Sequence, residues 1–177
     1  GMPGAGKGTQ AQLIQEKLSI ANVSTGAILR DVSKSETDLG RRVQSFLNSG
    51  QLVPDEISIE MLVNRISMQD CSDGFILDGF PRTVNQAEKL DLLLSTSYKL
   101  DCVLRMKVDE EEIIKRLIDR AREDDKPDII KNRFKTYNSE TQPLIPFYEE
   151  RKILFNIDGM QEIEKVSEDI KKVIGAI

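Results

Sequence analysis

The sequence predicts an α/β domain in which a doubly wound parallel sheet is covered by helices on both faces. Two observations carry this prediction. Short apolar runs alternate with longer segments of helical periodicity, and a glycine-rich loop directly precedes the first helical segment. The 177 residues suit one domain with a small insertion, and an apolar fraction of 39% is enough to form a core.

Four short runs bounded by Gly, Asp or Asn are predicted to be strands, at residues 21–24, 75–78, 102–108 and 154–158. Helical patterns occupy residues 7–18, 26–33, 39–48, 56–68, 84–94, 110–120, 128–141 and 163–177. Because residues 25–68 contain helical patterns without a strand, we expect them to form a helical insertion on a core made of residues 1–24 and 69–177.

The first residue already belongs to the glycine-rich loop, and such a loop is held in place by a preceding strand. We therefore expect about five apolar residues ahead of Gly1, which would complete a five-stranded sheet.

Composition excludes several function classes. The chain has 25 Lys and Arg against 30 Asp and Glu, and this net charge of −5 argues against nucleic acid or an anionic membrane as a partner. The longest apolar run is three residues, too short to span a bilayer. Two distant cysteines, Cys71 and Cys102, indicate a reduced, cytoplasmic protein. With no histidine, the chemistry must use lysine, arginine, carboxylates and backbone amides.

The glycine-rich loop, Gly1–Thr9, fits the phosphate-binding pattern G-x-x-x-x-G-K. Its glycines allow backbone N–H groups to turn toward phosphate oxygens, and the lysine adds a positive charge. The candidate nucleotide-binding residues are Gly4, Ala5, Gly6, Lys7, Gly8 and Thr9. Gly8 stands where Ser or Thr usually binds Mg²⁺, so we expect the metal to be held mainly through water and other carboxylates. The alternative is a glycine-rich turn that merely caps a helix.

A second candidate segment follows the predicted strand at residues 75–78. Ligands of open α/β sheets bind at the carboxyl ends of strands, which places Asp78 to orient Mg²⁺-bound water. Gly79 allows close backbone approach, and Arg82 can grip a phosphate with two hydrogen bonds. Alternatively, Asp78 caps the turn and Arg82 is a solvated charge.

Together, Gly1–Gln10 and Asp78–Thr83 resemble the adenylate kinase family, and the resemblance extends over nearly all of the chain. It implies a phosphate-loop nucleoside monophosphate kinase fold and the reaction Mg·ATP + AMP ⇌ 2 ADP. Its partners would be ATP, AMP and ADP, with Mg²⁺ as cofactor. The resemblance also implies a monomer in the cytoplasm.

The same resemblance implies roles for individual residues. The AMP site would contain Thr25, Gly26, Arg30, Val53, Gly79, Arg82, Gln86, Arg122 and Arg133. The ATP site would add Arg116, Arg120 and Gln161 to the phosphate loop. The catalytic residues would be Lys7, Asp78, Arg82, Arg120, Arg122 and Arg133, with Asp78 also serving the metal. Read without the family, Arg116 and Arg120 form an exposed ladder with Glu112, and Asp124 and Asp125 are an acidic lead-in to a helix.

Two departures from the family pattern stand out. Ala27 replaces the usual Asp after Ser-Thr-Gly, and one residue, Ala121, separates two arginines between which the family carries a lid. We expect that a lid near residues 120–122 was excised or is disordered, and a naturally lidless enzyme is the less favoured alternative. The functional alternatives are a pyrimidine nucleoside monophosphate kinase, or a lidless nucleotide-binding module with impaired turnover. Thr25, Thr83 and Gln86 favour AMP over pyrimidine acceptors.

Overall fold

A computed structural model describes residues 1–95 and 97–175, and its elements follow the predicted alternation. The strands are β1 (Ala21–Ser24), β2 (Phe75–Asp78), β3 (Val103–Lys107) and β4 (Leu154–Asp158). The helices are α1 (Lys7–Leu18), α2 (Thr25–Ser33), α3 (Asp38–Ser49), α4 (Asp55–Ile66), α5 (Val84–Leu94), α6 (Glu110–Arg120), α7 (Pro127–Thr136), α8 (Leu144–Glu149) and α9 (Ile163–Ile174). The last two residues of the predicted helix 163–177 lie outside the described residues.

The strands pair in parallel, which confirms the predicted fold class, but they form two separate pairs. β1 pairs with β2, so that Ala21 lies beside Phe75 and Ser24 beside Asp78. β3 pairs with β4, from Val103 beside Leu154 onward. Residues of both β2 and β3 line the cavity that separates the two pairs. Within the described chain no strand joins the pairs, and the expected additional strand stays a prediction.

The apolar core is divided in the same way as the sheet. Around β1 and β2, Val23, Leu62 and Leu90 are fully buried. Beside β3 and β4, Ala5 of the glycine-rich loop packs with Ile157 and with buried residues of α9. The glycine-rich loop is therefore fixed to the second pair through its own buried alanine.

In residues 25–68, all of which the structure describes, α2, α3 and α4 follow one another without a strand. They bury a small core of their own around Leu29, Val43 and Val53. Thr37 caps α3 by accepting a hydrogen bond from the Gly40 N–H at 3.0 Å. These observations support the division into a core and a helical insertion, which remains a proposal.

The predicted helix 128–141 is shorter in the structure. α7 ends at Thr136, a five-residue π-helical turn covers Tyr137–Thr141, and α8 follows. Pro143 lacks the N–H that an uninterrupted helix would need, and it stands at the start of α8. No helix in residues 1–95 and 97–175 is both long and apolar enough to cross a membrane.

Candidate active site

Two glycines in the left-handed backbone conformation shape the phosphate loop. Gly4 and Gly6 have φ angles of 86° and 88°, which only glycine adopts easily. A side chain at Gly4 would also collide with Leu117 of α6, because an added Cβ would lie 2.8 Å from its Cγ. Gly6 caps the start of α1, so the loop ends at a helix N-terminus, where anions bind favourably.

Lys7 bends back over the loop. Its Nζ donates to the carbonyl oxygens of Gly1 at 2.8 Å and of Met2 at 2.7 Å. Burial lowers the pKa of Lys7 to about 8, and the nearby positive charges of Arg82, Arg133 and Arg120 act in the same direction against Asp78. The lysine is thus a desolvated cation that would gain from an anionic partner.

The end of β2 lies against the start of α1. An added Cβ at Gly8 would be 3.6 Å from Oδ2 of Asp78, so the small residue at position 8 leaves room beside the carboxylate. Ser24, at the end of β1, donates its hydroxyl hydrogen to the same oxygen at 3.2 Å. In the described parts of the chain, no three His, Cys, Asp or Glu side chains cluster as a metal site. Asp78 and Ser24 offer the oxygen ligands that Mg²⁺ prefers when nucleotide phosphates and water complete its shell.

The turn after β2 is held by hydrogen bonds from several elements. Gly79 adopts a φ of 80°, and its carbonyl accepts from Nε of Arg82 at 2.7 Å and from the buried Thr25 hydroxyl at 2.8 Å. The Thr141 hydroxyl, at the end of the π-helical turn, donates to the Arg82 carbonyl at 2.8 Å. The Arg82 N–H donates to Oε1 of Gln86 at 2.7 Å. Arg82 is therefore fixed through both its backbone and its guanidinium.

A buried aspartate holds two of the predicted arginines. Asp125 accepts from Arg120 through both carboxylate oxygens, at 2.8 and 2.7 Å, and from Arg133 at 3.0 Å. The Arg122 backbone N–H adds a fourth hydrogen bond at 3.2 Å. Burial alone would raise the pKa of Asp125, but the Arg120 hydrogen bonds and charge outweigh it and lower the pKa below its ordinary value. The pair of acids is therefore not a simple lead-in to α7.

The contacts of Arg116 fit both interpretations of the α6 arginines, the exposed ladder with Glu112 and a place at the nucleotide site. Its Nε donates to Glu112 at 2.7 Å, one turn earlier, as an exposed ladder would. Its Nη2 also donates to the Gly159 carbonyl at 3.0 Å, after β4, and Nη1 lies 3.9 Å from an added Cβ at Gly6. Arg116 therefore bridges the phosphate loop and the loop that follows β4.

The cations of the site repel one another. Burial lowers the pKa of Arg82, and the charge of Arg133 lowers it further. The pKa of Arg30 is lowered by burial and then by Arg122. An added Cβ at Gly26 would lie 3.2 Å from Arg30 and 3.7 Å from Arg82, so both guanidinium groups converge on the start of α2. Such a cluster is suited to binding several phosphate groups.

Most of the predicted site residues line one cavity of about 1310 Å³. They are Gly4, Gly6, Lys7, Gly8, Thr9, Gly26, Arg30, Asp78, Gly79, Arg82, Arg116, Arg120, Arg122 and Arg133. The structure thus brings the phosphate loop, the turn after β2 and the arginines of α6 and α7 to one place.

Five predicted residues do not line that cavity, and their roles stay predictions. Ala5 is buried in the core, Thr25 is buried beneath Gly79, and Val53 borders a second cavity of about 650 Å³. Gln86 is only 2% exposed, and its amide is bonded to protein atoms. Gln161 donates to the Asp158 carbonyl and to Asp169 on α9.

Sequence reasoning missed two residues that support the site. Ser24 and Asp55 lie in segments that resemble the family's AMP-binding region, but the sequence assigns neither of them a role of its own. In the structure Asp55 accepts hydrogen bonds from Thr83, Asn85 and Gln86, at 3.0, 2.6 and 2.7 Å. A carboxylate directly after a proline and before a helix is common, so the sequence pattern alone carried no signal for this role.

Comparison with known proteins decides the family. The family model described as adenylate kinase matches residues 1–153. The chain belongs to the adenylate kinase family. The adenylate kinase of Thermobifida fusca is 48% identical over 173 residues, which cover 95% of this chain and 92% of that protein. The adenylate kinase of Leptospira biflexa is 46% identical over 179 residues, covering 98% and 96%.

A third relative differs in length. The adenylate kinase of Clostridium acetobutylicum is 40% identical over 209 residues, covering 100% of this chain and 97% of that protein. Since this chain has 177 residues, the longer alignment requires gaps in it. Membership of this family identifies the chain as a nucleoside monophosphate kinase. The reaction of the family is reversible phosphoryl transfer between ATP and AMP.

Proposed function

We propose that the arginine-rich cavity described above is where the chain transfers the terminal phosphoryl group of Mg·ATP to AMP. The observation that carries this proposal is the convergence of Lys7, Asp78 and the guanidinium groups of Arg82, Arg120 and Arg133 on one cavity. Phosphoryl transfer needs little covalent help from a protein, and it is accelerated by positioning and by fixed positive charge.

On the donor side, the phosphate loop binds the ATP phosphates through its backbone N–H groups. Lys7 exchanges its two carbonyl partners for phosphate oxygens and follows the transferring group. Arg116 and Arg120, one turn apart on α6, hold the nucleotide from the opposite side of the loop. The positive charge of the loop and helix is thereby matched by the triphosphate.

On the acceptor side, Arg82 and Arg30 bind the AMP phosphate at the start of α2. Arg122 and Arg133 approach the transferring phosphoryl group, and Asp125 keeps Arg133 in place. The catalytic contribution of these arginines is electrostatic, because they stabilise the charge that spreads over the equatorial oxygens. Thr25, Val53 and Gln86 complete the proposed AMP site, with Gln86 contacting the base.

Magnesium would be held by Asp78, together with nucleotide phosphates and water. When bound, the ion neutralises charge on the β and γ phosphates. The chain itself orients that assembly, since Ser24 fixes one oxygen of Asp78 by hydrogen bonding.

The connection between α6 and α7 is short, and Ala121 closes α6 in a left-handed conformation with φ 51°. We propose that this connection is a natural short form of the lid. The Thermobifida and Leptospira relatives support this, because they align along 92% and 96% of their own length without a long gap in this chain. The proposal departs from our expectation that a lid was excised or disordered. We further propose that the enzyme is a monomer, and that it is cytoplasmic, in keeping with its two free cysteines.

A coupled assay that compares AMP, CMP and UMP as acceptors with Mg·ATP tests the proposal. We expect ADP formation with AMP as the preferred acceptor. Preference for CMP or UMP would instead support the pyrimidine kinase alternative, and nucleotide binding without turnover would support the binding module.

A further inference from the structure

A hydrogen-bonded chain of side chains connects the helical insertion to the Arg82 turn. Asp55, the first residue of α4, accepts from Nε2 of Gln86 through Oδ1 at 2.7 Å. Oε1 of Gln86 in turn accepts from the Arg82 N–H at 2.7 Å. The other oxygen of Asp55 accepts from Thr83 and Asn85, so both oxygens have partners.

The chemistry of these partners fixes the orientation of the Gln86 amide. A carboxylate accepts hydrogen bonds, and a backbone N–H donates them. The NH₂ group of Gln86 must therefore face Asp55 and its carbonyl oxygen must face Arg82. If Asp55 is lost, the amide is free to rotate, and the Arg82 N–H can lose its acceptor.

Burial makes this link strong. Gln86 is 2% exposed, and water does not readily replace a lost partner at such a site. Thr83 stands at the N-cap of α5 and accepts from the Gln86 N–H at 3.1 Å, which holds the same residue from its backbone.

We propose that Asp55 is a positioning residue for the acceptor phosphate, acting through Gln86 on the backbone of Arg82. The inference rests on the proposed role of Arg82 in binding the AMP phosphate. Because the phosphate is common to all acceptors, loss of Asp55 weakens AMP, CMP and UMP, and it weakens AMP the most if the Gln86 amide also contacts the base.

Steady-state kinetics of the full chain with the Asp55→Ala substitution test this inference. We expect KM to rise for all three acceptors, about tenfold for CMP and UMP and at least as much for AMP, with kcat unchanged within about twofold. Glu56→Gln is the matched control, because Glu56 is an exposed acid in the same first turn of α4, and we expect it to leave KM unchanged. If Asp55→Ala does not fold, Asp55→Asn serves in its place, since the NH₂ group of asparagine cannot accept one of the bonds.

A double-mutant cycle then shows whether Asp55 acts through Gln86. We expect the rise in KM for AMP in the double variant Asp55→Ala, Gln86→Ala to equal the rise in Gln86→Ala alone. If the KM of the double variant instead rises by the product of the two single-variant factors, the inference is overturned, because Asp55 then acts by another route.

Hydrogen exchange separates this inference from the proposed function. We expect Asp55→Ala to speed exchange of the Arg82 N–H but not of the Ile113 N–H, which donates to the carbonyl of Asp109, the N-cap of α6. Unchanged exchange at Arg82, or equal acceleration at both sites, overturns the inference. If Arg82→Ala raises KM for all three acceptors and Asp55→Ala does not, the inference also fails. If Arg82→Ala itself leaves KM unchanged, the proposed function is what fails.

Discussion

Asp125 and Arg120 form a two-point ion pair in which the aspartate side chain is fully buried and the arginine side chain is 30% exposed. The pair closes the corner between α6 and α7 and leaves the guanidinium at the wall of the cavity. A carboxylate thus sets the direction of a cation that we assign to the nucleotide phosphates.

Asp125→Asn tests what this pair contributes to stability. The substitution keeps the shape but leaves Arg120 and Arg133 without their shared charge, so we expect the free energy of unfolding to fall by about 2–3 kcal/mol. Denaturant unfolding measures the change, with Asp119→Asn, an exposed acid on α6, as control. Saturating ATP should restore part of the loss by supplying negative charge. Equal effects of the two substitutions would show that the pair is not stabilising.

The same pair predicts a response to acid. The lowered pKa of Asp125 means that its contribution to stability is complete above the ordinary aspartate value of 3.8. That contribution should be lost as the pH falls through the lower, folded-state pKa. Unfolding curves from pH 5 downward should therefore converge for the parent and Asp125→Asn, and a constant difference down to about pH 2 would contradict the assignment.

Lys7 predicts a pH dependence of nucleotide binding. Its folded-state pKa is about 8 against an ordinary 10.5, so the protonated form is disfavoured in the ligand-free chain. The buried, protonated lysine destabilises the folded state, and this destabilisation is relieved as the pH rises from 8 toward 10.5 and the lysine loses its proton. Deprotonation also removes a positive charge that interacts with the ATP phosphates. Titration calorimetry should show the Kd for ATP rising above about pH 8, by at most tenfold per pH unit. In Lys7→Met we expect a flat profile over the same range, and a rise like that of the parent would exclude Lys7 as the titrating group.

Substitutions of Arg82 and Gln86 are predicted to change the acceptor kinetics in different ways. Arg82→Ala should raise KM for AMP, CMP and UMP alike, because it removes a phosphate contact. Gln86→Ala should in addition reduce the preference for AMP over CMP and UMP, by about tenfold in the ratio of kcat/KM, if its amide contacts the base. Acceptor competition assays measure both. An unchanged preference in Gln86→Ala would limit that residue to positioning Arg82.

The short connection at Ala121 predicts imperfect exclusion of water. Lid closure expels water and often limits turnover, so we expect slow phosphate release from ATP alongside ADP formation. Inserting a long lid, taken from a family member that carries one at this position, between Ala121 and Arg122 should raise kcat and lower the fraction of phosphate released. Full kinase activity with no phosphate release in the parent would show that the long lid is dispensable.

The sequence predicts the local parts of this site better than their connections. Lys7 and the start of α1 follow from glycine spacing, and the bounds of β2 follow from an apolar run that ends in Asp78. The contact between Arg120 and Asp125 is not predictable in this way, because an acidic pair before a helix is equally explained by favourable charge at its N-terminus. The Asp55 link spans more than two dozen residues of sequence and depends on tertiary packing.

The most direct test follows the label from ATP carrying ³²P in its γ phosphate, incubated with Mg²⁺ and AMP. We predict that most of the label appears in the β phosphate of newly formed ADP, and that Lys7→Met slows this transfer about a hundredfold. Label released as inorganic phosphate at the same rate with and without AMP would contradict the assignment of this cavity to phosphoryl transfer between nucleotides.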